Sequence, residues 1–141
     1  MDLIEVELSR VIIQTKGDAP QYLALKECQG TRTFSIVIGH HEVDEIRRKL
    51  SGIETQRPLT HDLVARVIQT LGHRLHRIVV NDLREGTFYA FLGLVPRDLG
   101  PDATGPETTV DCRPSDAIAL AVQTHARMYV ARHVFDEVSV D

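Results

Sequence analysis

From Ala117 to Val122 the chain reads Ala-Ile-Ala-Leu-Ala-Val, with no polar side chain on any side. The alanines favour helix over strand, and a helix without a wet face has to be enclosed by the rest of the fold. With 141 residues and 43% hydrophobic content, the chain can bury roughly two thirds of its unfolded surface, enough for that enclosure. A single domain over residues 1–141 is therefore expected. A homodimer is expected, and it gains support if Ala119 and Leu120 are covered only by another subunit.

Polar chemistry gathers just before this helix and at one earlier point. Arg113-Pro114-Ser115-Asp116 leads into the apolar run, and Arg57-Pro58-Leu59-Thr60-His61-Asp62 leads into a second helical pattern. Proline disfavours helical geometry in the residue before it, so Arg57 and Arg113 are expected in extended chain with their guanidinium groups projecting. Thr60 and Ser115 are expected to cap orphan N–H groups, while Asp62 and Asp116 sit where the helix dipole favours negative charge.

The remaining periodicities describe a sheet. Alternation over Ile4 to Leu8 continues into Val11-Ile12-Ile13, and Tyr22 to Cys28 and Thr33 to Ile38 read as two more strands. A helix from His40 to Leu50 has Val43, Ile46 and Leu50 on its apolar stripe, acids in its first half and Arg47-Arg48-Lys49 in its last. Asp44 with Arg48 and Glu45 with Lys49 stand at the favourable four-residue spacing. The helix after Thr60 presents Leu63, Val64, Val67, Ile68 and Leu71 to a sheet. Leu75 to Leu83 and Thr87 to Val95 form a hairpin, Pro96 to Pro106 a loop placed to act as a lid, and Glu107 to Cys112 a further strand. Met128 to Ala131 and Val134 to Val140 are read as the closing strands. The expected fold is α/β of the α+β type: a mixed, largely antiparallel sheet packed with about three helices. Hairpin, strand and helix recur in Ile4 to Leu50 and in Leu75 to His125, which suggests an internal duplication with Glu42 opposite Asp116.

Charge and cysteine content limit the function classes. A formal charge of -4 argues against a broad nucleic-acid footprint but allows local clusters. The first residues carry acids where a signal peptide needs bases, no apolar run approaches membrane-spanning length, and a cytoplasmic location without membrane contact is expected. Cys28 and Cys112 lie far apart and outside any Cys-x-x-Cys pattern, so a thiolate zinc site or disulfide framework has no support. No glycine-rich phosphate loop or nucleophile elbow occurs. His73, Arg74, His76 and Arg77 form either a small phosphate-facing patch or an exposed polar face.

Three motifs, Arg57-Pro58-Leu59-Thr60-His61-Asp62-Leu63, Gly86-Thr87-Phe88-Tyr89-Ala90 and Asp111-Cys112-Arg113-Pro114-Ser115-Asp116-Ala117, with a looser Ile36-Val37-Ile38-Gly39 followed by Glu42, resemble the bifunctional nuclease domain family. They run in the family's order over almost the whole chain. Departures are Cys112, where the family usually has alanine, and Val43-Asp44. The resemblance implies hydrolysis of phosphodiester bonds in DNA and RNA, with nucleic acid as the partner. Such chemistry calls for Mg²⁺ or Mn²⁺ on hard oxygen ligands. Glu42, Asp62 and Asp116 are the metal candidates, with Asp111 beside them; His61, Asp62 and Asp116 are the catalytic ones. Arg57 and Arg113 either clamp phosphate or pair internally with Asp116, Asp62 or Asp111. The other reading is a non-catalytic binding or regulatory module for a small anion or a protein partner.

Overall fold

The computed structural model describes residues 2–14, 16–17, 19–98, 100 and 105–140. Its strands are β1 (Leu3–Ile12), β2 (Gln21–Glu27), β3 (Thr33–Ile38), β4 (His73–Arg84), β5 (Thr87–Pro96), β6 (Thr108–Cys112) and β7 (Arg127–Ala131). The helices are α1 (His40–Leu50), α2 (Thr60–Thr70), α3 (Pro114–Thr124) and α4 (Arg132–Val138). All seven strands belong to one sheet of order β3-β2-β1-β7-β4-β5-β6, antiparallel except where β4 runs parallel to β7. The order β-β-β-α occurs twice, as β1-β2-β3-α1 and β4-β5-β6-α3, and the two three-stranded meanders flank β7.

Local chemistry accounts for the junctions. Glu85 and Gly86 connect β4 to β5 with φ of 49° and 78°, the paired positive values that a two-residue hairpin turn requires. Gly52, at φ 67°, closes α1. The all-apolar helix is enclosed as expected: Ala117, Ile118, Ala119, Leu120 and Ala121 are each at most 2% exposed within the single chain. It packs beside α1 and against β4, β5 and β7.

Four readings of the sequence need correction. Residues 132–138 form α4 where a strand from Val134 to Val140 was expected, leaving only Val140 in an isolated bridge to Thr33. Val134, Phe135 and Val138 fall on one helical face with Asp136 and Glu137 outside, and this period overrides the alternation of Val134, Val138 and Val140. Leu50 is 54% exposed, since α1 outruns the core that covers Val43 and Ile46. On α2 the apolar arc is wider than the line of contact: Ala65 is buried, Val64 and Ile68 pack at the edge, and Leu63, Val67 and Leu71 face solvent. In the Pro96 to Pro106 lid, Pro96 ends β5, and Leu99 and residues 101–104 lie outside the described residues. No helix among the described residues is long and apolar enough to cross a membrane.

Phe135 anchors α4 in the core, edge-on to Phe34 at 5.5 Å between ring centroids, and Phe34 in turn lies 5.8 Å from Phe88. Phe135→Ala is expected to cost about 3–5 kcal/mol, read from the denaturant midpoint. A change below about 1 kcal/mol would mean that α4 is not part of the cooperative core.

Candidate active site at three helix starts

Each of α1, α2 and α3 has an acid at its third position, Glu42, Asp62 and Asp116, where the helix dipole favours a carboxylate. Thr60 and Ser115 are not the caps. They are the first and second helical residues, after Leu59 and Arg113, and neither cap residue makes a side-chain cap bond. At α2 the acid does this work instead, Asp62 Oδ2 accepting the Leu59 N–H at 2.9 Å.

Cations from other elements then join the acids. Arg113, in extended chain at φ −73° and ψ 149°, donates from Nε and Nη2 to the two oxygens of Asp116, both at 2.9 Å. Its Nη1 donates to Glu42 Oε1 at 3.0 Å. His61 Nε2 bonds to Asp116 Oδ1 at 2.9 Å, and its Nδ1 lies 3.6 Å from Glu45 Oε1. Glu45, 8% exposed, pairs through Oε2 with Arg48. Lys49 pairs with Asp62 and lies 3.8 Å from Glu45. The result is a bridge for every pair of helices: Glu42–Arg113 for α1 with α3, His61–Asp116 for α2 with α3, and Lys49–Asp62 together with His61–Glu45 for α1 with α2.

The carboxylates respond to this setting. Burial pushes the Asp116 carboxyl up, but Arg113 and His61 together outweigh it and hold it below the usual range. Glu42 is held down by its own backbone N–H and by Arg113, against burial. Lys49 does the same for Asp62, helped by the Leu59 N–H and again opposed by burial. Asp116 and Glu42 in turn hold the Arg113 guanidinium more firmly protonated than usual.

The candidate residues therefore divide. Glu42, His61, Asp62, Arg113 and Asp116 share one network, and the internal pairing expected for arginine is made by Arg113. Arg57 is exposed and makes no ion pair among the described residues; it faces a cleft of about 580 Å³ with Lys49 and Asp62. Asp111 is exposed on the edge strand β6, outside the network. Glu42 and Arg113 open on the other side, into a shallow cavity of about 400 Å³ with Phe88 and Ser115. Gly39 assists there, since a Cβ would come 2.4 Å from Glu42 Oε2 and move the carboxylate from its place over the helix start. Among the described residues no three of His, Cys, Asp and Glu converge as a metal-ligand group. The suggested donors split into Glu42 with Asp116, and Asp62 at the far end.

The sequence reading kept Glu45 and Lys49 as a pair within α1, which the structure has at 3.8 Å, and missed Glu45, Arg48 and Lys49 as members of the network between helices. Arg48 pairs with Glu45 three residues back, not with Asp44. The available signal was the recurrence of Glu42, Glu45 and Lys49 at i, i+3 and i+7, a polar stripe beside the apolar one.

Because Glu42, Asp62 and Asp116 all titrate below their ordinary values, their stabilisation is complete above the unfolded carboxyl pKa of about 4 and is lost as pH falls through the lower folded values. The melting-temperature gap between the wild type and Asp116→Asn should therefore narrow below about pH 4. A gap that stays constant through that range would show that Asp116 carries no such linkage. Arg113→Ala should lower the denaturant midpoint, by less than loss of a fully buried pair would, since its side chain is 63% exposed and solvent screens its pairs, while Glu42 and Asp116 are left short of a cation.

Comparison with known proteins gives a match of the family model described as Bifunctional nuclease domain to residues 23–141. Two relatives from Mycobacterium tuberculosis, uncharacterized protein MT1877 (strain CDC 1551 / Oshkosh) and uncharacterized protein Rv1829 (strain ATCC 25618 / H37Rv), are each 36% identical over 130 residues. The alignment covers 92% of this chain and 73% of each relative. The matched residues include α1, α2 and α3 in full, and with them every residue of the charge network.

Proposed function

Because this chain belongs to the bifunctional nuclease domain family, we propose that it hydrolyses phosphodiester bonds of DNA and RNA at the meeting point of α1, α3 and Arg113. The observation that supports this most is the state of Arg113. Its guanidinium touches two carboxylates yet keeps a 63% exposed side chain at the starts of two helices, where backbone N–H groups and dipoles favour an anion. A phosphate can approach that exposed face and compete with Glu42 and Asp116 for the guanidinium. The carboxylates so released are the hard oxygen donors that the reaction needs.

Mg²⁺ or Mn²⁺ is part of the proposal, with Glu42 and Asp116 as the residues that would hold it, water and substrate phosphate completing the set; the ion would offset phosphate charge and acidify a water. His61 has both ring nitrogens turned to carboxylates, so its role in this reading is to position Asp116. Asp62 acts through Lys49, keeping α1 and α2 in register. Arg57 lies on the cleft side and meets the nucleic acid away from the scissile bond.

Purified protein should cleave labelled single-stranded DNA and RNA with added Mn²⁺ or Mg²⁺ and stop in chelator. Asp116→Asn should lose on the order of 10²-fold in rate at a temperature where the variant remains folded, whereas Asp62→Asn should lower the melting temperature more than the rate. Asp116→Asn cleaving at the wild-type rate would sink this assignment of the site. The second reading, a binding module for a small anion or protein partner, is favoured by one observation: Glu42, Asp62 and Asp116 are all engaged by cations in this structure. Saturable anion binding with no hydrolysis under any metal would decide for it.

A further inference from the structure

Most arginines of this acidic chain have an acidic partner. Among the described residues five do not: Arg10 on β1, and Arg57, Arg66, Arg74 and Arg97, which all surround α2. Arg57 and Arg66 line the cleft of about 580 Å³ on one side of α2. Arg74 lines a second cleft of about 770 Å³ on its other side, and Arg97 reaches over to the Gln69 carbonyl at 3.2 Å. Arg74 donates to the carbonyl of Gly100 at 3.0 Å, which satisfies a donor but leaves its charge uncompensated.

The two clefts share Ala65, Gln69, Gln123 and His125, so they meet around one helix. Among the described residues that line the larger cleft there is no Asp or Glu, while Arg77, Arg127, His76 and Tyr129 add to its wall. The smaller cleft also takes in Lys49 and Asp62, the end of the charge network that begins at Arg113.

We propose that this cation-lined trench around α2 holds the backbone of single-stranded nucleic acid away from the scissile bond; it rests on the nuclease reading above and names its substrate form. The groups offered are guanidinium ions, which neutralise phosphate and carry no sequence information. Contacts of this kind do not read the sugar, which accounts for one site accepting DNA and RNA alike. A path that bends around one helix suits a flexible strand, whereas a duplex, with a persistence length of about 150 base pairs, does not follow it.

The test is fluorescence anisotropy of labelled oligothymidylate and oligouridylate in chelator, across a salt series. Four arginines predict a log–log salt slope near −2.8, equivalent to about a 50-fold loss of affinity between roughly 50 and 200 mM salt. In Arg57→Ala/Arg66→Ala, where neither side chain has a described bond to lose, the slope should halve to about −1.4 and the affinity fall for both oligonucleotides. Arg74→Ala/Arg97→Ala should do the same, and Arg10→Ala should bind as the wild type does. Wild-type affinity and slope in both double variants would overturn the proposal. So would equal or tighter binding of duplex, or displacement of the oligonucleotide by polyglutamate at equal charge, which would indicate an acidic protein partner. Binding that follows these slopes without hydrolysis in metal would remove the nuclease reading and leave the track. Hydrolysis that persists with unchanged KM in both double variants would remove the track and leave the nuclease.

Discussion

Everything in this fold depends on covering α3. A helix whose residues 117–121 are at most 2% exposed is stable in water only when other elements take every side of it. The sheet supplies one side through β4, β5 and β7, and α1 another. Its first turn then has to lie where core meets water, because Arg113 and Asp116 are charged and the residues after them are not. Placing α1 beside α3 therefore brings Glu42 to Arg113, and the polar site follows from the apolar packing.

The charges that meet there nearly balance. Glu42, Glu45, Asp62 and Asp116 stand against Arg48, Lys49 and Arg113, with His61 between two of the acids. Half-buried carboxylates without cations would be costly, and cations without carboxylates equally so. The network is cooperative in a geometric sense. Every helix pair is bridged, and moving any one helix breaks at least two of the bridges. That arrangement fixes helix positions at the price of leaving few groups free for chemistry.

Much of this was legible in the sequence, for reasons that differ by element. The enclosed helix could be read because its composition admits no alternative, and the β4–β5 hairpin because Glu85-Gly86 interrupts two β-branched, aromatic runs. The third-position acids followed from helix-start chemistry. Residues 132–138 misled because Val134, Val138 and Val140 satisfy a strand period while Val134, Phe135 and Val138 satisfy a helical one, and local pattern does not choose between them. The apolar face of α2 overstated its burial, since periodicity shows which residues share a side and not how much of that side a neighbour covers. Glu45, Arg48 and Lys49 were hidden for a related reason. A helix with acids first and bases last is already explained by its own dipole, so nothing local signals that Glu45 and Lys49 also reach another helix.

The same distinction between satisfied and unsatisfied charge separates two regions of the surface. A formal net charge of -4 would repel a polyanion if charge were smeared evenly, yet at physiological salt fields between exposed groups fade within about 8 Å. What a strand of nucleic acid meets is the local balance. Around Arg113 that balance is close to neutral, because each cation is opposed by an acid that the fold itself requires. Around α2 it is positive, because Arg57, Arg66 and Arg74 line clefts with few acids among the described residues and Arg97 reaches Gln69 at their edge. Those arginines answer no structural need that their contacts reveal: two have no side-chain bond among the described residues, and two reach only backbone carbonyls. Unopposed charge at a concave surface is retained most simply when something of opposite sign arrives there. In an acidic chain it has to be local, and here it is gathered beside one helix.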